Sequence, residues 1–214
     1  MMSTDYYFEP SRLEVLLTSC VGNTLLRTYY RKFIANLDIH ENDRILDFGC
    51  GCGILAKGMA KKLETGMLTY TDVSKTWLKV AKKRLRTYSN AEGFQMNEFN
   101  GKIGNGEFDK IVVHFTLHDF PKANLKPIIT QLIKHLHPEG RLILREPIEQ
   151  KHGLPLYEIY KVLESTQEIS LKYTLCHHEI MGDFVEIVCR FKSAHQKKPL
   201  SAFESRKRQE VVYE

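Results

Sequence analysis

The stretch Arg44-Ile45-Leu46-Asp47-Phe48-Gly49-Cys50-Gly51-Cys52-Gly53-Ile54-Leu55 constrains this chain more than any other. An apolar strand ends in an acid, and three glycines at alternate positions then open a helix. Glycine is needed there because the backbone must turn sharply and come within contact distance of a ligand, which a Cβ would obstruct. A glycine-rich strand-to-helix turn is also how a dinucleotide-binding domain seats a pyrophosphate, so two classes of nucleoside cofactor compete. Asp47 separates them. At the strand end its charge repels a pyrophosphate but can hold the cationic amino group of an amino-acid moiety. The helix that follows carries Lys57, Gly58 and Lys61, with no further phosphate loop.

From Arg44 onward strands alternate with helices, which implies βαβ units and a mostly parallel sheet. The pattern predicts strands near 44–48, 67–71, 93–96, 109–115 and 141–145, with helices near 53–64, 74–87 and 122–136. Gly-Lys-Ile-Gly-Asn-Gly at 101–106 reads as a loop, and Pro138-Glu139-Gly140 as a turn into the fifth strand. A helix near 154–164 precedes β-rich segments at 169–177 and 184–191, whose short break predicts an antiparallel hairpin. The expected fold is α/β: a doubly wound, mostly parallel seven-stranded sheet with an antiparallel last strand. Two amphipathic helices, carrying Leu13, Leu16, Leu17, Cys20 and Val21 and then Leu25 to Leu37, precede it as an N-terminal helical cap. The expected division is a cap over 1–40, a cofactor-binding domain over 41–192 and a polar tail over 193–214.

Asp-x-Gly-x-Gly-x-Gly after a hydrophobic strand resembles the first motif of class I S-adenosylmethionine (SAM)-dependent methyltransferases, of the Rossmann-like, small-molecule type. The resemblance spans about residues 41 to 192. It implies SAM as cofactor and methyl transfer as the activity, with Asp47, Gly49, Cys50, Gly51 and Gly53 around the amino-acid end. Asp72, about 20 residues after the glycines, is placed to accept hydrogen bonds from ribose hydroxyls with either cofactor class. Asp72-Val73-Ser74-Lys75-Thr76-Trp77-Leu78 is similar to the family's second motif, with Val73 near the adenosine and Trp77 and Leu78 either beside it or in the core. Asn97 and Glu98 follow the third strand, where the family often reads the adenine amine, and either can accept that bond.

The segment His114-Phe115-Thr116-Leu117-His118-Asp119-Phe120-Pro121 lies beyond the fourth strand's carboxyl end, where ligands bind in open α/β sheets. His114 and His118 are the candidate general bases by position and by the range in which imidazole titrates, with His114 also a cofactor neighbour. Packing or hydrogen bonding is the competing role for each. Glu146, in Arg145-Glu146-Pro147, either meets a polar substrate group or caps the next helix. The cap helices fall where this family often carries a lid, with Tyr6, Tyr7, Tyr29 and Tyr30 either lining it or packing as core.

Composition narrows the partners. No run of about 18 apolar residues is present and the first residues lack a secretion signal, which predicts no membrane span and a cytoplasmic protein. Five cysteines in core-like stretches read as reduced thiols, and neither Cys50-x-Cys52 nor Cys176-His177-His178 has the pairing a metal site needs, so no metal is assigned. The net charge of +5 is spread along the chain, the tail holding +2 of it, and reads as solvated surface. The Asn/Asp-Pro-Pro-Tyr/Phe tetrapeptide of many base-amine methyltransferases is missing. A small-molecule methyl acceptor is therefore expected and a nucleic-acid acceptor is not. The competing activities are an NAD(P)-dependent oxidoreductase on a Rossmann fold and a non-catalytic SAM-binding regulatory module.

Overall fold

A computed structural model describes residues 9–24, 26–98, 103–148, 153–166, 169–179 and 182–192. Two helices, α1 (Arg12–Asn23) and α2 (Arg27–Asn36), lead into β1 (Arg44–Phe48). Then come α3 (Ile54–Ala60), β2 (Met67–Asp72), α4 (Lys75–Leu85), β3 (Ala91–Gln95), β4 (Phe108–His114), α5 (Lys122–His135), β5 (Leu136–Pro147), α6 (Leu156–Ser165), β6 (Ile169–Glu179) and β7 (Gly182–Phe191). Short 3-10 turns follow β3 at Met96–Glu98 and β4 at Leu117–Asp119.

The seven strands lie in the order β3-β2-β1-β4-β5-β7-β6. β1 through β5 are parallel, and β7 runs antiparallel to both β5 and β6. Strands buried on both faces become apolar runs, as in Ile45-Leu46 and Ile111-Val112-Val113. Alternate residues serve opposite faces. Leu46, Ile111, Val113, Leu142 and Leu144 pack with α5 and α6, whereas Ile45, Val112 and Ile143 pack with α2, α3 and α4. Strand order reverses between β1 and β4, so their carboxyl ends diverge around a crevice.

The predicted architecture is the observed one, with local differences. β5 begins at Leu136, directly after α5, and Pro138-Glu139-Gly140 lies inside the strand rather than in a turn before it. There the pairing slips from Phe108↔Leu136 to Lys110↔Arg141, so the extra residues bulge out of the ladder. The third strand ends at Gln95, one residue early, because Met96 starts the 3-10 turn. Phe115 leaves the fourth strand, with φ of 51°. The tail 193–214, Tyr6 and Tyr7 lie outside the described residues.

Candidate functional site

A cavity of about 390 Å³ opens at the switch between β1 and β4, lined among others by Asp47, Gly49, Gly51, Asp72, Tyr30 and Phe115. Its floor is the glycine turn. Gly49 and Cys50 donate N–H bonds to the Thr71 carbonyl at 2.9 Å each, pulling the turn against the end of β2. Gly51 has φ of 50° and donates its N–H to Asp72 Oδ2 at 2.8 Å. A Cβ built at Gly51 meets nothing within 4 Å, so a side chain there would project into open space. At Gly49, with φ of 82°, a Cβ would strike Thr116 at 2.2 Å. The first position is glycine for conformation, the second for conformation and space.

Asp47 is 1% exposed, lines the cavity, and its Oδ2 has no hydrogen-bond partner among the described residues. Burial, reinforced by the nearby Asp72 charge, pushes its carboxyl up to about 7. A buried carboxylate in a cavity lining with one oxygen unused calls for a cation or a donor from a ligand. Asp72 is also pushed up, to about 6, because burial outweighs the N–H bonds from Ser74 and Gly51. Its Oδ1 accepts from Ser74 N at 2.9 Å, and Ser74 Oγ caps α4 by accepting from Trp77 N at 3.0 Å. Val73, Ser74, Trp77 and Met96 continue the lining. Asn97 is exposed in the 3-10 turn, and the side chain of Glu98 lies outside the described residues.

The cap closes on this region. Glu9 accepts from Ser74 Oγ at 2.7 Å, Lys75 N at 2.8 Å and Thr76 N at 3.1 Å. Burial works against its charge, but the bonds from Ser74, Thr76 and Lys75 prevail and hold its carboxyl down at about 2. From α1 Thr18 reaches the cavity wall, and from α2 Tyr30 does so. Tyr29 instead packs edge-on against Phe184 and bonds His114 Nε2 through its hydroxyl at 3.1 Å. The aromatic lid residues thus divide, one to the cavity and one to the core.

The two candidate bases occupy different environments. His114 lines the cavity among Tyr30, Phe33 and Phe115, whose ring stacks on it at 4.4 Å. Burial, helped by the Arg145 charge, lowers its imidazole to about 3, so it is neutral. His118 does not border the cavity. Its Nδ1 lies 2.9 Å from Glu146 Oε2, and since a carboxylate only accepts, that ring nitrogen carries the proton. Burial alone would lower its pKa, but the Glu146 bond and charge outweigh that and raise it.

Glu146 plays a part that sequence reasoning missed. Fully buried, it neither faces the cavity nor caps the next helix; it accepts from Thr116 N at 2.8 Å and Leu117 N at 2.7 Å as well as from His118. It thus fixes the turn after β4 that bears Phe115, Thr116 and Asp119 into the cavity wall. Arg145 pairs with Glu186, both buried, while its guanidinium carbon lies 3.8 Å from the Phe33 ring centroid and 4.9 Å from that of Phe184. Adjacent residues of β5 therefore brace the two sides of the site from beneath. The strand-end run Arg145-Glu146 was the available signal, since charges at such positions are buried only when paired.

The comparisons with known proteins bear on this arrangement. Residues 46–142 match the family model described as "Methyltransferase domain". A TehB-like SAM-dependent methyltransferase from Corynebacterium glutamicum superposes with a TM-score of 0.67, covering 85% of this chain and 100% of that one at 16% identity. The chain carries the class I SAM-dependent methyltransferase fold.

Two curated relatives match part of this chain. The ribosomal RNA small subunit methyltransferase C of Klebsiella pneumoniae is 30% identical over 126 residues, 57% of this chain and 34% of that protein. The putative methyltransferase YrhH of Bacillus subtilis is 28% identical over 122 residues, 56% of this chain and 66% of that protein. The chain thus spans about a third of the first relative's length and just under two thirds of the second's. These matches correct one expectation. The missing tetrapeptide does not set nucleic-acid acceptors aside, because relatives named for ribosomal RNA share this domain. The physical reason is that the methyl-donor half of the fold is built alike whichever acceptor is served. Among the described residues no helix is long and apolar enough to cross a membrane.

Proposed function

We propose that the chain is an enzyme that binds SAM in the β1–β4 crevice and transfers its methyl group to a nucleophile of a small molecule. The observation that carries this reading is Asp47, a buried carboxylate in the cavity lining, beside a side-chain-free turn, with one oxygen left unbonded among the described residues. The ammonium of SAM fits that oxygen, and the methyltransferase fold and family-model match support the same cofactor. Asp47 would hold the amino-acid end with Gly49, Cys50, Gly51 and Gly53 in the floor. Asp72 would accept from the ribose, with Val73 and Asn97 or Glu98 on the adenine side.

Bound there, SAM supplies a methyl carbon already activated by its sulfonium, so the chain's own residues need only position and desolvate the acceptor. Tyr30, Phe115 and His114 present aromatic surface to the cavity, and Thr18 covers it from α1, which suits a compact acceptor. His114, neutral and tied to Tyr29, orients that wall and takes no proton at working pH. His118, turned to Glu146, acts on the loop and not on the acceptor.

The test is transfer of label from methyl-labelled SAM, offered in parallel to a metabolite extract and to ribosomal RNA. Label in the small-molecule fraction with release of S-adenosylhomocysteine is expected. Label confined to RNA overturns the acceptor class, and failure of SAM to bind in calorimetry, with NAD(P)H binding instead, overturns the cofactor.

A further inference from the structure

The helix α1 is turned inside out. Leu13, Leu16, Leu17 and Val21 are 63%, 60%, 54% and 38% exposed. At 100° per residue these positions share one stripe, whereas Val15, Thr18 and Ser19 fall on the opposite side. That side lies toward the molecule: Thr18, itself exposed, lines the cavity, and half-buried Ser19 bonds Cys52 of the glycine turn. Leucines are thus left in water on a helix whose more buried side holds Val15 and Ser19, a placement that costs burial energy unless something covers the stripe.

The neighbouring surface says what covers it. The turn between the helices ties them together, Thr24 and Leu26 donating to the Val21 carbonyl at 3.3 and 3.1 Å. α2 buries Tyr29, Phe33 and Ile34 and exposes Arg27, Arg31 and Lys32. Between Arg12 and Asn36 the only acid is Glu14, set against Arg12 and those three cations. An exposed apolar stripe on one helix, joined by a short turn to a helix that exposes three cations, suits a lipid interface, with leucines among acyl chains and cations at anionic headgroups. A second copy docked through the same patch would bring the same cations together. A nucleic acid would leave the leucines without a partner.

We propose that α1 and α2 form a docking surface for an anionic lipid bilayer, with the leucine stripe entering the interface and Arg27, Arg31 and Lys32 at the headgroups. Seated so, the roof of the cavity rests on the membrane surface. The proposal does not depend on methyl transfer.

The test is cosedimentation of the full chain with vesicles of phosphatidylcholine alone or mixed with phosphatidylglycerol. Binding is expected to the mixed vesicles only, and to weaken at high salt. The variants Leu16→Ser/Leu17→Ser and Arg27→Glu/Arg31→Glu should each bind about tenfold more weakly. All four side chains are exposed and none lines the cavity, so thermal unfolding and SAM calorimetry on the same variants show that fold and cofactor site persist. Absence of binding to mixed vesicles overturns the proposal, as does binding that neither variant weakens. A dimer in solution, or RNA binding, that Leu16→Ser/Leu17→Ser abolishes also overturns it by giving the stripe another occupant.

Discussion

Asp47 sits where its own preference and its proposed task conflict. With its carboxyl raised from 3.8 to about 7, the folded state binds a proton more tightly than the unfolded chain does. Its contribution to stability is therefore present below about pH 4 and lost as pH rises through about 7. A bound ammonium prefers the ionised form, so SAM affinity should instead rise with pH, up to about tenfold per unit below pH 7, and level off above it. Calorimetry across that range checks the slope. Asp47→Asn should remove the slope, weaken SAM binding by about thirtyfold or more, and raise the melting temperature of the free protein above pH 7. Gly51→Val should abolish SAM binding and cost about 1–2 kcal/mol, because a branched residue resists a positive φ, read by urea unfolding. This part of the site was legible in sequence because acid, glycines and Asp72 are contiguous signals on consecutive strand ends. Glu146 and Phe115 were not: one acts on a loop 30 residues away, and the other matters through a backbone angle that no side-chain pattern announces.

β5 carries more of the site's rigidity than its short apolar run suggested. Arg145→Met should remove the cation that neutralises buried Glu186 and cost about 3–5 kcal/mol, whereas Arg145→Met with Glu186→Leu should regain most of that loss. Chemical denaturation of the two single variants and the double closes the cycle. Glu146→Gln keeps one accepting oxygen and should cost about 1–3 kcal/mol while loosening the turn after β4, seen as faster amide exchange at Thr116 and Leu117. Helix and strand order were legible because the period of burial switches cleanly from one element to the next. The bulge in β5 was hidden: Pro138 and Gly140 are turn residues by composition, and only the pairing of Leu136 and Arg141 with β4 on either side keeps them within one strand.

The molecule as a whole divides its labour along the sheet, with the proposed donor site at the β1–β2 end and bracing at β5 and β7. SAM should raise the melting temperature in proportion to the logarithm of its concentration over Kd, and NAD should not; differential scanning fluorimetry checks both. Global topology was readable because short crossovers leave few ways to wind a parallel sheet. The seat of α1 was not, since a leucine stripe at helical spacing predicts a buried face and here faces out. The last strand in sequence is not the last in space: β7 threads between β5 and β6, and β6 touches the sheet through β7 alone. Assembly of that flank must therefore wait for the chain's later residues to arrive. Any lesion that unseats β7 should release two strands at once, while loss of β6 leaves the remaining ladder closed.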